Sequence, residues 1–486
     1  MFTLPIDALI IFMVTTPLVG WVERKLNQKI ISGIYAAVGF ALSGFMLYQL
    51  SSQALSTPLL IPIHAGILEA CLRVDALSVF TEAIFIVMGF LVTVYSLKYM
   101  ERDTGLPLYY TLLLAMITGM VGVVSAGDFF TLFVFWEFMC IPSYVLVAFR
   151  KQEWEPVEAG FKYLVMSSAG SATILYGMSI LYGLTGTLNF TQLSVVMAGR
   201  ATNVWGYISL AFILIGFGVK ASMFPLHTWL PDAHPAAPSS ISALLSGIVI
   251  KAGAYGIIRT LFMIFTPSSF SWQMTLAVFA ALTMTYGNLA ALLQKDIKRL
   301  LAYSSMAQMG YILFAISTTT SYGLTAGLMH MVNHALMKGL LFLCAGAFIY
   351  RAGTRNLDEL KGIGHKMPLT AIIFTIAALS ISGVPPLNGF ISEFMIVYAG
   401  INAGMLAFTV VTLINIILGF TYYLRLIRII VWSTPSENLN KIKRTPVLML
   451  IPMALIALSC IIIGLYPAPF IEMASKATHA VIQQYS

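Results

Sequence analysis

Lys251 stands near the middle of "SISALLSGIVIKAGAYGIIR", an otherwise apolar run spanning residues 240–259. About 16 Å of helix would separate it from either surface, more than a lysine stem comfortably covers. A lysine denied water gives up its proton more readily, so the chemistry its position suggests is proton exchange. Its neighbours Gly247, Ala252, Gly253 and Ala254 are small. They admit close helix approach and are expected to leave room for water.

Further ionisable side chains lie in similar surroundings. His330, His334 and Lys338 in "MHMVNHALMKG" stand at i, i+4 and i+8, on one helical face. Two imidazoles so spaced can ligate a metal, hydrogen-bond between helices, or relay protons, since neutral imidazole both donates and accepts. No carboxylate occupies the intervening turn, and Lys338 would repel a cation. The relay is the preferred reading, and no metal site is expected.

Glu137 lies deep in "FVFWEFMCIPSYVL". It is either a packed, protonated acid or the partner of a lysine, and Lys220 is the natural candidate. Lys220 itself is either that partner or a lysine snorkelling to the surface. Glu393 in "NGFISEFMIV" is either an acid at a helix start, where the dipole favours it, or the far end of the relay. Lys162 is either a relay group or a surface anchor, and Arg259 is placed near an outer end from which it can snorkel. Glu82 lies near the start of a span. His227, Asp232 and His234 fall in a proline-rich turn, "LHTWLPDAHPAAPS", that reads as water-facing. His227 and Ser305 are retained as further relay positions.

The elements that carry these residues are membrane helices. The chain has 486 residues, of which 59% are hydrophobic and 9% charged, against about 25% charged in an ordinary soluble domain. Fourteen spans are expected, near 6–22, 31–50, 78–97, 108–126, 129–149, 160–184, 203–224, 240–264, 272–292, 299–318, 323–350, 367–400, 405–429 and 446–468. The first lacks a basic leader and a cleavage site and reads as a span, not a signal peptide. The loops on one side of this scheme hold nineteen Lys and Arg, and those on the other hold three: Arg73, Arg200 and Lys476. The positive-inside rule makes the first side cytoplasmic in a cell membrane, with both termini outside. That distribution accounts for the net charge of +8 without nucleic acid. Cys71, Cys140, Cys344 and Cys460 are scattered, so no cluster or zinc pattern is expected. No nucleotide or flavin motif is found, so no cofactor is expected.

Two spans are interrupted. The seventh carries Pro225 just after Lys220. The twelfth carries Pro385, Pro386 and Gly389 just before Glu393. Broken helices inside a bilayer need protein or water to satisfy the freed backbone. Breaks at matching places in two halves point to an ion site. With an offset of 168, Asp128 falls on Asp296, Glu137 on Ser305 and Lys162 on His330; five further residues bring Lys220 onto Glu393. Five spans per copy would invert the second. The expected organisation is a three-helix segment over 1–107, a first repeat over 108–264, an inverted repeat over 265–429, and a loop and last helix over 430–486.

The stretches "FVFWEFMCIPSYVLVAFRK", "KASMFPLHTWLPDAHPAAPSSISALLSGIVIKAGAYGIIR", "DIKRLLAYSSMAQMGY", "HMVNHALMKGLLFLCAG" and "GVPPLNGFISEF" closely resemble the antiporter-like subunits of respiratory complex I. The same family supplies subunits of membrane-bound hydrogenases, formate hydrogenlyases, an archaeal F420-linked dehydrogenase and Mrp-type Na+/H+ antiporters. The resemblance implies a polytopic all-α fold of about fourteen helices in two inverted five-helix repeats. It implies Glu137 and Lys220 as a coupling pair, Lys251 as the central lysine, His330 and His334 as a connecting row, and Glu393 at the exit. Many family members have lysine at position 393 and histidine at position 308, where this chain has Glu393 and Gln308. "PPLNGFISEF" looks like the hydrogenase-associated branch.

The implied function is proton translocation, with Na+ as the other ion, in a redox-driven complex. The chain would be a non-redox ion-pumping subunit without a catalytic centre of its own. Its partners would be further antiporter-like subunits and a coupling module with an iron–sulfur, NiFe or quinone site, all within the lipid bilayer. The alternatives are a subunit of an Mrp-type antiporter without redox partner and a self-sufficient secondary transporter.

Overall fold

The computed structural model describes residues 4–482, apart from 27, 66–67, 200–202, 437–438 and 440–441. Arg200 and Lys441, both counted above in the charge distribution, lie outside the described residues. The described residues are mostly helical. In order, the helices are α1 (Pro5–Leu26), α2 (Ile31–Ala54), α3 (Ala76–Tyr99), α4 (Leu106–Val124), α5 (Phe129–Val147), α6 (Trp154–Thr185), α7 (Phe190–Ala198), α8 (Val204–Lys220), α9 (Leu230–Ala236) and α10 (Ser239–Leu244). A π turn, Leu245–Val249, leads into α11 (Ile250–Met263). Then come α12 (Gln273–Leu292), α13 (Ile297–Ser317), α14 (Ser321–Ala352), α15 (Pro368–Ile381), α16 (Asn388–Asn402), α17 (Leu406–Ile427), α18 (Val447–Leu465) and α19 (Ala468–Ile482).

A helix stands at each of the fourteen expected segments. Among the described residues, twelve helices are long and apolar enough to cross a bilayer. The other two segments are the interrupted ones, whose leading helices α8 and α15 are short and apolar. Among the described residues, five elements lie outside the fourteen expected spans: α7, α9, a 3-10 turn (Ile363–His365), α19, and an antiparallel hairpin of β1 (Leu59–Ala65) and β2 (Leu68–Val74). All are too short to span, and a hydropathy search for long apolar runs passes over them.

Side-chain caps place the helix starts. Asp128 accepts from the Thr131 amide at 2.7 Å, and Asp296 accepts from the Lys298 and Arg299 amides at 2.8 and 3.0 Å. Each bound donor is one that the helix start leaves without an internal acceptor. Both residues also form a backbone bridge to an asparagine, Asp128 to Asn189 and Asp296 to Asn356. Helices α6 and α14 both contain 32 residues and both end on a left-handed glycine, Gly186 (φ 73°) and Gly353 (φ 74°).

These matched features carry the repeat. It is inverted, because the end of α5 and the start of α13 share one face. Arg355 bonds both Glu155, just past α5, and Asp296, just before α13, and Arg299 bonds Asp232 on that face. The same face collects the other loops of the basic set. Lys29 reaches the Glu101 carbonyl, Arg150 pairs with Asp103 at 2.8 Å, and Arg351 reaches the Arg444 carbonyl.

One matching of the repeats is corrected. The turn out of α8 passes through Ser222 at φ 56°, and the turn out of α15 passes through Gly383 at φ 69°. Aligned on these turns, Lys220 corresponds to Ile381. Glu393 lies beyond its break, on α16, so the two charges sit on opposite sides of equivalent turns.

Candidate functional site

The centre of the site is built by the π turn. A π turn bonds i to i+5, so it carries one residue more than an α turn and disturbs the ordinary ladder. The Ser246 carbonyl accepts from Lys251 Nζ at 2.7 Å, and the Ser246 hydroxyl shares a 2.6 Å hydrogen bond with the Ser305 hydroxyl on α13. Lys251 is wholly buried. Its second contact is His334 Nδ1 at 2.6 Å. No carboxylate pairs with it within 4.0 Å among the described residues. The small residues beside it serve backbone approach. A Cβ on Gly253 would lie 2.6 Å from the Ala221 amide at the end of α8, and one on Gly247 would lie 3.3 Å from the Ala335 carbonyl. At Gly253 the expected room for water is corrected: α8 fills that space.

From Lys251 the row continues along α14. His334 presents Nε2, which is buried and unpartnered. The His330 ring lies parallel to it, with centroids 6.2 Å apart. His330 Nε2 meets Gln308 Oε1 at 2.7 Å, and His330 Nδ1 meets the Ser392 hydroxyl on α16 at 2.9 Å. The Gln308 amide also faces Glu393 and the Ile381 carbonyl, the latter at 3.5 Å. Gln308 thus occupies the link between the histidines and the acid. The second break is shaped around that acid. A Cβ on Gly383 would come within 2.2 Å of Glu393 Oε2, so glycine is needed both for space and for its positive φ. Asn333 and Asn388 bond each other's polar groups and hold the restart of α16.

Lys338 does not join this row directly. Its Nζ donates to the Tyr423 hydroxyl at 2.7 Å, which meets the Ser304 hydroxyl at 2.6 Å, and Tyr422 adds to the same cluster. Lys338 therefore heads a side branch towards α17. Ser305 touches the row through Ser246.

At the first break Lys220 is 1% exposed, and its Nζ donates to the Tyr163 hydroxyl at 2.8 Å. Tyr163 is stacked on Trp229 at 4.1 Å, and the Trp229 indole donates to the Val219 carbonyl freed by the end of α8. The anticipated Glu137–Lys220 ion pair is absent among the described residues. Trp136, not Glu137, turns towards α8. One helical step of about 100° carries Glu137 off that face. Glu137 is half-buried with Oε1 unpartnered, beside the exposed Val134 and Ile141.

Of the two readings of Lys162 the structure favours the second, and two further expectations change. Lys162 is half-exposed and paired with Glu158 at 2.8 Å and Asp232 at 3.3 Å, which makes it a surface anchor. Arg259 does not snorkel. It is 1% exposed and forks onto both oxygens of Asp75 at 2.6 and 2.7 Å. Burial pushes the Asp75 carboxyl up, but Arg259 and Arg73 outweigh it and hold Asp75 well below the usual range. The turn around His227 faces water only in part: Asp232 reaches the surface, but His227 packs against Phe224 and Tyr286, and His234 is fully buried.

Gln308, Tyr163, Ser246 and Ser392 touch these ionisable groups, and a search for charge passes over them. Each is a neutral polar group in an apolar run, and only Gln308 is also marked, by the family resemblance.

Comparison with known proteins places this geometry. Residues 126–419 match the family model described as "NADH:quinone oxidoreductase/Mrp antiporter, TM", and residues 62–110 match "NADH-Ubiquinone oxidoreductase (complex I), chain 5 N-terminus". The chain is 31% identical to F(420)H(2) dehydrogenase subunit N of Methanosarcina mazei, covering 94% of each chain. It is 29% identical to an Na(+)/H(+) antiporter subunit of Bacillus subtilis, covering 94% of this chain and 93% of that one. A chain in the structure of the membrane-bound sulfane sulfur reductase, an archaeal respiratory membrane complex, superposes with a TM-score of 0.89. It is 31% identical, over 98% of this chain and 97% of that one.

Proposed function

The chain belongs to the NADH:quinone oxidoreductase/Mrp antiporter family of membrane proteins, and from that premise we propose that it translocates protons as one antiporter-like subunit of a redox-driven membrane complex. The observation that carries the proposal is the row from Lys251 through His334, His330 and Gln308 to Glu393. Lys251 is a buried amine bonded only to a carbonyl and an imidazole, so its proton is held by neutral groups and can leave. His334 accepts it at Nδ1 and can release one from Nε2. His330 and Gln308 carry the row to Glu393.

Lys220 supplies the switch. Its ammonium is held by the Tyr163 phenol and not by a carboxylate. A charge approaching Glu137 or Lys220 would change the proton affinity of Lys251 across the close α8–α11 contact. The half-open face around Glu137 supports a neighbouring membrane subunit as the source of that charge. Likeness to a dehydrogenase subunit and to a chain of a respiratory reductase supports a coupling module with a redox centre as a further partner. We place the chain in the cell membrane with its basic face cytoplasmic and its termini outside, in fourteen crossings. The divisions 1–107, 108–264, 265–429 and 430–486 follow the three-helix segment, the two repeats and the tail.

The test is Lys251→Ala in the purified complex reconstituted into vesicles. Proton pumping should fall to background while the complex assembles and its electron transfer, uncoupled, persists. Pumping at the normal rate would end the proposal. The identity to an Na(+)/H(+) antiporter subunit supports a second reading, an Mrp-type assembly without redox partner. Purifying the native complex and identifying its companions separates the two.

A further inference from the structure

Lys338 is wholly buried on α14, and behind the Tyr423 hydroxyl that meets its Nζ at 2.7 Å runs a chain of buried polar groups. Tyr423 meets Ser304 at 2.6 Å, Ser304 meets Tyr422 at 2.8 Å, and Tyr422 meets Asn288 Oδ1 on α12 at 3.0 Å. The direction of every bond follows from the far end. Asn288 Nδ2 lies 3.0 Å from the main-chain carbonyl of Asn415, which only accepts, so Oδ1 is the atom that faces Tyr422. An amide oxygen also only accepts. The single Tyr422 proton therefore goes to Asn288, the Ser304 proton to Tyr422, and the Tyr423 proton to Ser304. Tyr423 is left with a lone pair for Lys338 and no proton to give it. Such an end suits an ammonium and not a neutral amine. The Tyr423 ring, its centroid 5.4 Å from Nζ, offers its face to the same charge. The chain is also closed to protons. Lys251 meets an imidazole whose second nitrogen can pass a proton on. A proton leaving Lys338 would end on the Asn288 amide, which does not hold one against an amine.

We propose that Lys338 is a resident positive charge that drives the relay without carrying its protons, and that Asn288 is the positioning residue that fixes it. The inference rests on the reading of the chain as a proton-translocating subunit. Lys338 stands one helical turn, about 6 Å, beyond His334 and two turns, about 12 Å, beyond His330. A proton that passes from His334 to His330 therefore recedes from the ammonium. Repulsion falls with distance, so the charge favours travel towards Glu393 and opposes return. Lys338 keeps all its bonds to hydrogen throughout.

The experiment uses the whole complex in vesicles and follows protons pumped per electron transferred. Lys338→Met should lower pumping at least about tenfold, since a nearby charge shifts a neighbour's proton affinity by about one unit or more. Lys338→Arg should keep most of it, because a guanidinium holds its charge and gives up no proton. Asn288→Ala frees the hydroxyls to turn towards Lys338 and should also slow pumping. Adding Lys338→Arg to Asn288→Ala should restore the rate, since arginine needs no chain to stay charged. A double variant as slow as Asn288→Ala alone would make Asn288 a packing residue and overturn its assignment. An assembled Lys338→Arg complex as slow as Lys338→Met makes Lys338 a carrier and overturns the inference, as does full pumping by Lys338→Met. If Lys338→Arg fails to assemble, Asn288→Ala and Tyr422→Phe decide: each breaks the chain at a different link and should slow pumping, and full pumping by both overturns the inference. Any of these failures with Lys251→Ala inactive leaves the proposed function standing. Full pumping by Lys251→Ala overturns the function itself.

Discussion

The two ends of α11 hold two buried cations eight residues apart, and they are treated in opposite ways. Arg259 is clamped by both oxygens of Asp75 and also donates to Tyr255 at 2.7 Å. Lys251 receives a carbonyl and an imidazole. A guanidinium in a fork with a carboxylate keeps its charge and joins two helices. An amine offered only neutral acceptors is left able to lose its charge. Burial alone therefore does not mark the working residue. What surrounds the buried charge does.

That contrast can be broken most severely at Arg259. Arg259→Ala leaves Asp75 buried with Arg73 as its remaining cation beside the Ser78 donors, and removing one partner of a buried pair typically costs about 3–5 kcal/mol. We expect loss of assembled complex on native gels, with Arg259→Lys a poor rescue because the fork is gone. If Arg259→Ala assembled fully and only pumping were lost, the two ends would not differ as described. A smaller effect is expected at Gly383. Gly383→Ala puts a methyl into the Glu393 oxygen and a side chain at positive φ, a strain of about 1–3 kcal/mol. Pumping should drop with electron transfer intact, and an unchanged rate would show that Glu393 tolerates displacement. The smallest effect belongs to Lys162. Its ion pairs are exposed, and such pairs contribute little. Lys162→Gln should assemble and pump as the unaltered chain does; a large loss of pumping would return it to the relay.

Much of this was legible in the sequence, for a physical reason. An ionisable side chain in a run of leucines and isoleucines is conspicuous, so Lys251, His330, His334 and Glu393 stand out unaided. The helices are legible because hydrocarbon thickness sets their length. What stays hidden depends on distant parts of the chain. Lys298 is buried by residues 235–237, some sixty positions away. Trp136 and Glu137 are neighbours, and only the packing of α8 decides which of them faces Lys220. Gln308 carries no charge, so nothing in its own segment marks it as the bridge to Glu393.

The wide turn at 245–249 has a consequence for helix phase. The extra residue it holds shifts everything after it by about 100° relative to an uninterrupted helix. Residues 239–244 and residues 250–263 therefore belong to two angular frames on what looks like one rod. Lys251, Tyr255 and Arg259 share the second frame. A single deletion within the turn would rotate all three together, taking the amine from His334 and the guanidinium from Asp75 in one step.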